Sequence, residues 1–314
     1  MNHQPPSEYS FIRYLSAKIS VDDRALNRNV LEKLKAILPT ASRDNRLRVL
    51  EIGAGIGTMI ERLLDWNILR HADYTAVDAD AQNIVESQKR LFRWAAARNI
   101  ECYPGGKNSS LLHLASGRVS VTFDRMDIYD YFGKEKNTRQ QDLLIAHAFM
   151  DLVDLPAVIP NICALLKPGG LVYVTLNFDG ETILLPVVDP TMDEQIIGLY
   201  HRSMDERSVD GKQAGDSQTG RKLVGQLQKA DARILAAGSS DWFVFPTDGL
   251  YQQDEAYFLH YIIQTIYDEL QGHPSLDSHM FKTWANERHA QIDRGELIYI
   301  AKQLDYLAQV STAS

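Results

Sequence analysis

Residues 48–52, Arg48-Val49-Leu50-Glu51-Ile52, form a short apolar run. It passes straight into Gly53-Ala54-Gly55-Ile56-Gly57, and residues 58–66 then follow with helical spacing. Glycines at a strand end let the backbone turn sharply and let a ligand approach it closely. A strand, a glycine turn and a helix in that order open an α/β sheet that binds ligands at the carboxyl ends of its strands. The turn alone leaves nicotinamide cofactors, flavins and other ligands open. Two details narrow it. The third glycine of the dinucleotide fingerprint belongs three positions after Gly55, where this chain has Thr58. Glu51 sits two positions before the first glycine, where a carboxylate offers a pyrophosphate nothing but suits a cationic amino-acid moiety.

The alternation continues downstream. Residues 74–77 read as a strand ending in Asp78, and residues 81–98 as a long amphipathic helix. Residues 119–123 lead to Asp127, residues 142–146 form a fourth strand ending at Ala146-His147, and residues 155–166 form a helix that stops before Lys167-Pro168-Gly169-Gly170. Residues 171–176 are a fifth strand. Strands separated by helices pair in parallel through right-handed crossovers. A carboxylate at Asp78 can accept hydrogen bonds from both hydroxyls of a ribose. Asp127 followed by Ile128 can hold the amino edge and the face of an adenine. Each aspartate also has a plainer reading as a helix N-cap, and so do Asp151 and Asp154.

These pieces, VLEIGAGIGT, YTAVDAD, RMDIYD, DLLIAHAFMDLVDLP and LLKPGGLVYVTLN, resemble in order and spacing the class I S-adenosylmethionine-dependent methyltransferases. The resemblance covers residues 47–178. It extends more loosely to residues 233–245 and 296–304 as sixth and seventh strands. It implies a doubly wound α/β fold with a seven-stranded, mostly parallel sheet whose last strand is antiparallel. It implies S-adenosylmethionine as cofactor, with Glu51, Gly53, Ala54 and Gly55 near its methionine part. Asp78 and Ala79 fall at the ribose, Asp127 and Ile128 at the adenine, and Ala146 and His147 at the methyl-transfer opening.

The domain organisation expected is an N-terminal helical segment (1–45), a methyltransferase core (46–178, 221–245 and 295–310) and two insertions (179–220 and 246–294). Both insertions leave from the carboxyl edge, so they are expected to form one largely helical cap over the methyl acceptor. Residues 1–10 look loose and polar, residues 11–38 helical in two pieces, and residues 210–220, polar with three glycines, like a mobile loop. His147 and His201 are the candidate general bases. Met150, Arg202, Arg207 and Trp242 are the candidate acceptor contacts, and the arginines suit an anionic acceptor. The plainer readings are a solvated helix face for residues 200–207 and core packing for Trp242. A formal net charge of -8 argues against broad affinity for nucleic acid, so a small molecule is the expected acceptor, at oxygen or nitrogen. Two cysteines, Cys102 and Cys163, do not make a disulfide framework, and no metal-ligand cluster is evident. With no signal-peptide pattern and no apolar run of roughly 20 residues, a cytoplasmic protein is expected. A non-catalytic cofactor-binding protein and a nicotinamide-dependent oxidoreductase are the competing functions.

Overall fold

A computed structural model describes residues 5–6, 8–106, 108–135, 138–209 and 211–312. The expectations for residues 1–4 and 7 and for Asp210 lie outside the described residues.

Three helices open the chain, α1 (Phe11–Ala17), α2 (Ile19–Ala25) and α3 (Arg28–Ile37). Two were expected between residues 11 and 38. The extra break comes where Leu26 turns extended and Asn27 caps α3 by accepting the Val30 amide at 3.1 Å. The core then runs β1 (Leu47–Ile52), α4 (Thr58–Asp65), β2 (Ala72–Asp78), α5 (Ala81–Ala97), β3 (Glu101–Pro104), β4 (Ser109–Leu114), β5 (Gly117–Arg125), α6 (Ile128–Lys134), β6 (Gln141–His147), α7 (Leu155–Leu165) and β7 (Leu166–Leu185). The first insertion adds α8 (Pro190–Glu206), β8 (Ser208–Val209) and β9 (Lys212–Gln213). It is followed by α9 (Thr219–Lys229), β10 (Ala232–Ser239) and β11 (Trp242–Val244). The second insertion adds α10 (Glu255–Leu270) and α11 (Ser278–Asp293), and β12 (Ile298–Val310) ends the sheet.

The main sheet has ten strands in the order β10-β12-β7-β6-β1-β2-β5-β4-β3, with β11 paired on β12. Strands β7, β6, β1, β2 and β5 are parallel, and β12 runs antiparallel between β7 and β10. This is the doubly wound, mostly parallel sheet expected from the sequence, extended at one edge by the antiparallel hairpin β3–β4. Both faces of the parallel strands are covered, which is why their sequences are nearly unbroken apolar runs. Along β1, Val49 packs with α3, α4 and α5 (Leu34, Met59, Leu63, Leu91), whereas Leu50 and Ile52 pack with α6, α7 and α9 (Phe132, Ile162, Leu223). The two-residue side-chain period of a strand divides them in this way.

The fifth core strand does not stop near Leu176. β7 continues to Leu185, paired with β12 from Ile298↔Leu185 to Gln309↔Leu171, so the sheet reaches into the first insertion. The continuation passes through a bulge. Leu176 takes φ 55, and its amide donates to Asp305 Oδ1 at 2.7 Å, while Oδ2 accepts the Asn27 amide at 2.8 Å. Burial pushes the Asp305 carboxyl up to about 6, against the pull of these donors. One buried carboxylate thus ties the start of α3 to the middle of the sheet.

Both insertions and the N-terminal helices share a second apolar core. Ala17 and Val21 pack there with Phe178, Ile196 and Leu199, and with Phe258, Ile263, Phe281 and Trp284. No helix among the described residues is long and apolar enough to cross a membrane. Cys102 and Cys163 are half-buried free thiols.

Candidate functional site

A cavity of about 700 Å³ opens at the carboxyl ends of β1, β2, β5 and β6. Its floor is the glycine turn, where Gly53, Gly55 and Gly57 all have left-handed φ angles of 62°, 52° and 78°. L-side chains pay about 1–2 kcal/mol for this conformation, and glycine does not. At Gly53 the constraint is doubled, since an added methyl would lie 2.0 Å from the Phe149 ring. Gly55 faces more open space, with Leu15 as its nearest neighbour at 3.6 Å.

Asp78, at the end of β2, closes this turn. Its Oδ2 accepts the Gly55 amide at 2.8 Å, and its Oδ1 accepts the Asp80 amide at 2.9 Å and Asn83 Nδ2 at 3.1 Å. The N-cap of α5 is Asp80, not Asp78. A carboxylate offers about four acceptor directions, so the protein uses three and leaves about one for a ligand, rather than the two expected for a ribose. Asp127 is the helix cap of its plainer reading and also faces the cavity. It caps α6 through the Tyr129 amide at 2.8 Å and lines the cavity together with Met126 and Ile128.

Glu51 lines the cavity while only 1% exposed, and the Tyr74 hydroxyl donates to its Oε2 at 2.6 Å. Burial pushes its carboxyl up to about 8, opposed by the Tyr74 bond and the Arg62 charge. A buried carboxyl of this kind gains from a cation placed beside it.

His147 lies in the wall but is not placed as a free base. Arg62 NH1 donates to Nε2 at 3.0 Å, which puts the remaining ring proton on Nδ1, bonded to Thr175 Oγ1 at 2.8 Å. Its one basic lone pair is therefore occupied. Burial lowers the imidazole to about 4, the Asp22 contact pulling upward and the Arg62 charge downward. The reason is a buried cluster joining four parts of the chain. Asp22 meets Lys18 Nζ at 3.1 Å, His147 Nε2 at 3.3 Å, Arg62 NH2 at 3.6 Å and Trp242 Nε1 at 2.9 Å. Burial opposes the Asp22 charge, but the Lys18 and Arg62 cations outweigh it and hold the carboxyl well below its usual range.

Of the residues expected at the site, the structure brings together Glu51, Gly53, Ala54, Gly55, Asp78, Ala79, Asp127, Ile128 and His147. The others lie elsewhere. Ala146 and Met150 are fully buried in the core beneath the sheet end, because the chain leaves β6 through Ala148 at φ 50. Ala148 and Phe149 take their places in the wall. His201 is tied to Thr182 Oγ1 at 3.0 Å and packs edge-on against Phe178. Arg202 is exposed, and Arg207 faces Glu269 at 4.0 Å. Trp242 packs on Phe258 and binds Asp22, as its core-packing reading has it. The wall also contains residues with no distinguishing signal in the sequence: Phe11, Leu15 and Lys18 from the N-terminal segment, and Val209, Gln213 and Ala214 from the β8–β9 hairpin. The first insertion thus reaches the cavity. Among the described residues lining it, none comes from 246–294, which stands behind as support.

The sequence profile of the family described as methyltransferase domain matches residues 23–235. No protein of curated function matches the chain. Among solved structures the chain is similar to phosphoethanolamine N-methyltransferase 2 of Haemonchus contortus, at 13% identity over 98% of this chain and 61% of that one, with a TM-score of 0.44. It is similar to a SAM-dependent methyltransferase of Methanosarcina mazei, at 14% identity over 85% and 93%, TM-score 0.43. A third is geranyl diphosphate C-methyltransferase of Streptomyces coelicolor A3(2), at 12% identity over 95% and 81%, TM-score 0.42.

Proposed function

The chain belongs to the methyltransferase domain family, and from that premise we propose that the cavity at the carboxyl edge holds S-adenosylmethionine as methyl donor and delivers its methyl group to an oxygen or nitrogen of a small molecule. The observation that carries the reading is the convergence of three separate carboxylates, Glu51, Asp78 and Asp127, on one cavity floored by the glycine turn. Their chemistry fits the donor. Glu51 is a buried carboxyl that gains from the ammonium of a methionine moiety, Asp78 has an acceptor direction left for a ribose hydroxyl, and Asp127 with Ile128 and Met126 offers an acceptor beside an apolar face for adenine. The missing dinucleotide glycine at Thr58 speaks against a nicotinamide cofactor.

Bound there, the donor supplies an electrophilic methyl group on a sulfonium. The protein's part is to hold and orient. The turn and Asp78 fix the donor, and Phe149 over Gly53 closes the floor. Phe11, Leu15 and the β8–β9 hairpin keep water from the opening. His147 serves as a fixed wall of the opening. An anionic acceptor gains no support from Arg202 and Arg207, which stand outside the cavity wall.

Titration calorimetry with S-adenosylhomocysteine tests the reading. One equivalent is expected to bind, and Asp78→Ala is expected to weaken binding at least about tenfold. It removes a charged hydrogen bond worth roughly 1.5–3 kcal/mol and frees the Gly55 amide. Unchanged affinity in that variant would dismiss the ribose placement, and tighter binding of NADH would dismiss the function.

A further inference from the structure

We propose that the Asp151 carboxylate, in the short 3₁₀ turn after β6, is the acceptor-binding residue, taking a hydrogen bond from the O–H or N–H group that is to be methylated. This rests on the donor placement above and names the other half of the same site. Asp151 Oδ1 is buried and has no hydrogen-bond partner among the described residues. A carboxylate oxygen can only accept, and one left alone away from water is costly, so an occupant of this place must bring a donor.

The surroundings place Asp151 at the seam between donor cavity and cap. Its chain neighbours Phe149, Leu152 and Val153 line the cavity. Its backbone carbonyl accepts the Asp216 amide at 3.3 Å, which ties the turn to the segment carrying Gln213 and Ala214. Burial raises its carboxyl, with its own backbone amide, Lys18 and Arg207 pulling downward and Asp216 adding to the rise. The Tyr200 hydroxyl feels the Asp151 charge, and Tyr14 and Tyr299 feel Tyr200. These three hydroxyls, from α8, α1 and β12, make no hydrogen bond among the described residues. The unpartnered carboxylate oxygen and these unpartnered hydroxyls are groups that a small polar molecule bearing a donor would satisfy. Neither histidine expected to serve there is so placed, since His147 is held by Arg62 and His201 by Thr182.

The test uses three probes on the protein loaded with S-adenosylhomocysteine, with binding measured by ligand-observed NMR: benzylamine, phenol and benzoate. Benzylamine and phenol bring donors, whereas benzoate brings none and is repelled by Asp151. The wild-type protein is expected to bind the first two at least about tenfold more tightly than benzoate, the scale of one charge-assisted hydrogen bond. Asp151→Asn is expected to erase that preference, because its amide can donate to benzoate, and to leave S-adenosylhomocysteine affinity unchanged. Tyr200→Phe is expected to weaken phenol and benzylamine severalfold and serves if the asparagine variant does not fold. Equal or tighter benzoate binding by wild type, no binding of any probe, or an unchanged preference in Asp151→Asn overturns the assignment. Failure of the wild type to bind S-adenosylhomocysteine counts against the donor placement instead, and the probe preference is then read on the unloaded protein.

Discussion

Replacing Asp22 by Asn removes one charge and leaves the shape. Oδ1 still accepts from Trp242, but the group facing Lys18 and Arg62 no longer balances them. The side chains of Lys18 and Arg62 are 9% and 6% exposed, and Lys18 has no second ion-pair partner among the described residues. Removing one member of a buried pair costs about 3–5 kcal/mol, because the remaining charge stays buried and uncompensated. Unfolding entropy of about 2.1 cal/mol/K per residue scales to about 0.66 kcal/mol/K for a chain of this size. The melting temperature should therefore fall by roughly 5–8 °C. The depressed Asp22 carboxyl contributes stability above its unfolded pKa and loses it as pH falls toward the folded value, so circular dichroism melts at pH 7.5 read the full effect. The double variant Asp22→Asn, Lys18→Met should melt above the prediction from adding the two single losses, because the orphaned cation is gone. Coupling of roughly 0.5–3 kcal/mol is the scale for groups in one network. A fall below about 1 °C, or strict additivity, refutes the claim that this cluster pins α2 to the sheet.

Two further variants probe the same region. His147 stays neutral in the folded chain down to about pH 4, whereas the unfolded imidazole takes its proton near 6.5. The stability this contributes is present above pH 6.5 and is lost as pH falls toward 4, about 2 kcal/mol of it by pH 5. Denaturant unfolding at pH 7 and pH 5 should thus reveal a larger drop in wild type than in His147→Gln, and equal drops would show that the imidazole is not buried neutral. Gly53→Ala places a methyl against Phe149 at φ 62 and should weaken S-adenosylhomocysteine binding more than about tenfold. Gly133→Ala, on open helix surface, should leave calorimetric affinity unchanged, and equal effects of the two would refute the steric account.

The residues that proved legible from sequence share one property: each is positioned by its own strand and the turn that follows. β1 and the glycine turn fix Glu51, Gly53 and Gly55; the end of β2 fixes Asp78; the start of α6 fixes Asp127. Local geometry is enough for these, so apolar periodicity and turn residues disclose the fold and the floor of the cavity, while the family came from the resemblance of the motifs. Even there, the sequence could not divide an aspartate between ligand and protein. Asp78 spends three acceptor directions on Gly55, Asp80 and Asn83, and only coordinates count them.

Everything that depends on distant segments meeting was decided by the tertiary structure. His147 reads as a base until Arg62, 85 positions away, occupies its lone pair, and until Asp22, 125 positions away, completes the buried cluster. Trp242 reads as core or as contact until its indole is found on Asp22, across 220 positions. The stretch of β7 beyond Asn177 becomes a strand because β12 pairs with it, not because its own residues demand it. Asp151 reads as a helix cap, yet Asp154 takes that place at the head of α7, which leaves the carboxylate oxygen of Asp151 alone at the seam. Propensity and periodicity report on neighbours in the chain, whereas a pKa, an occupied lone pair or an unpartnered oxygen reports on neighbours in space.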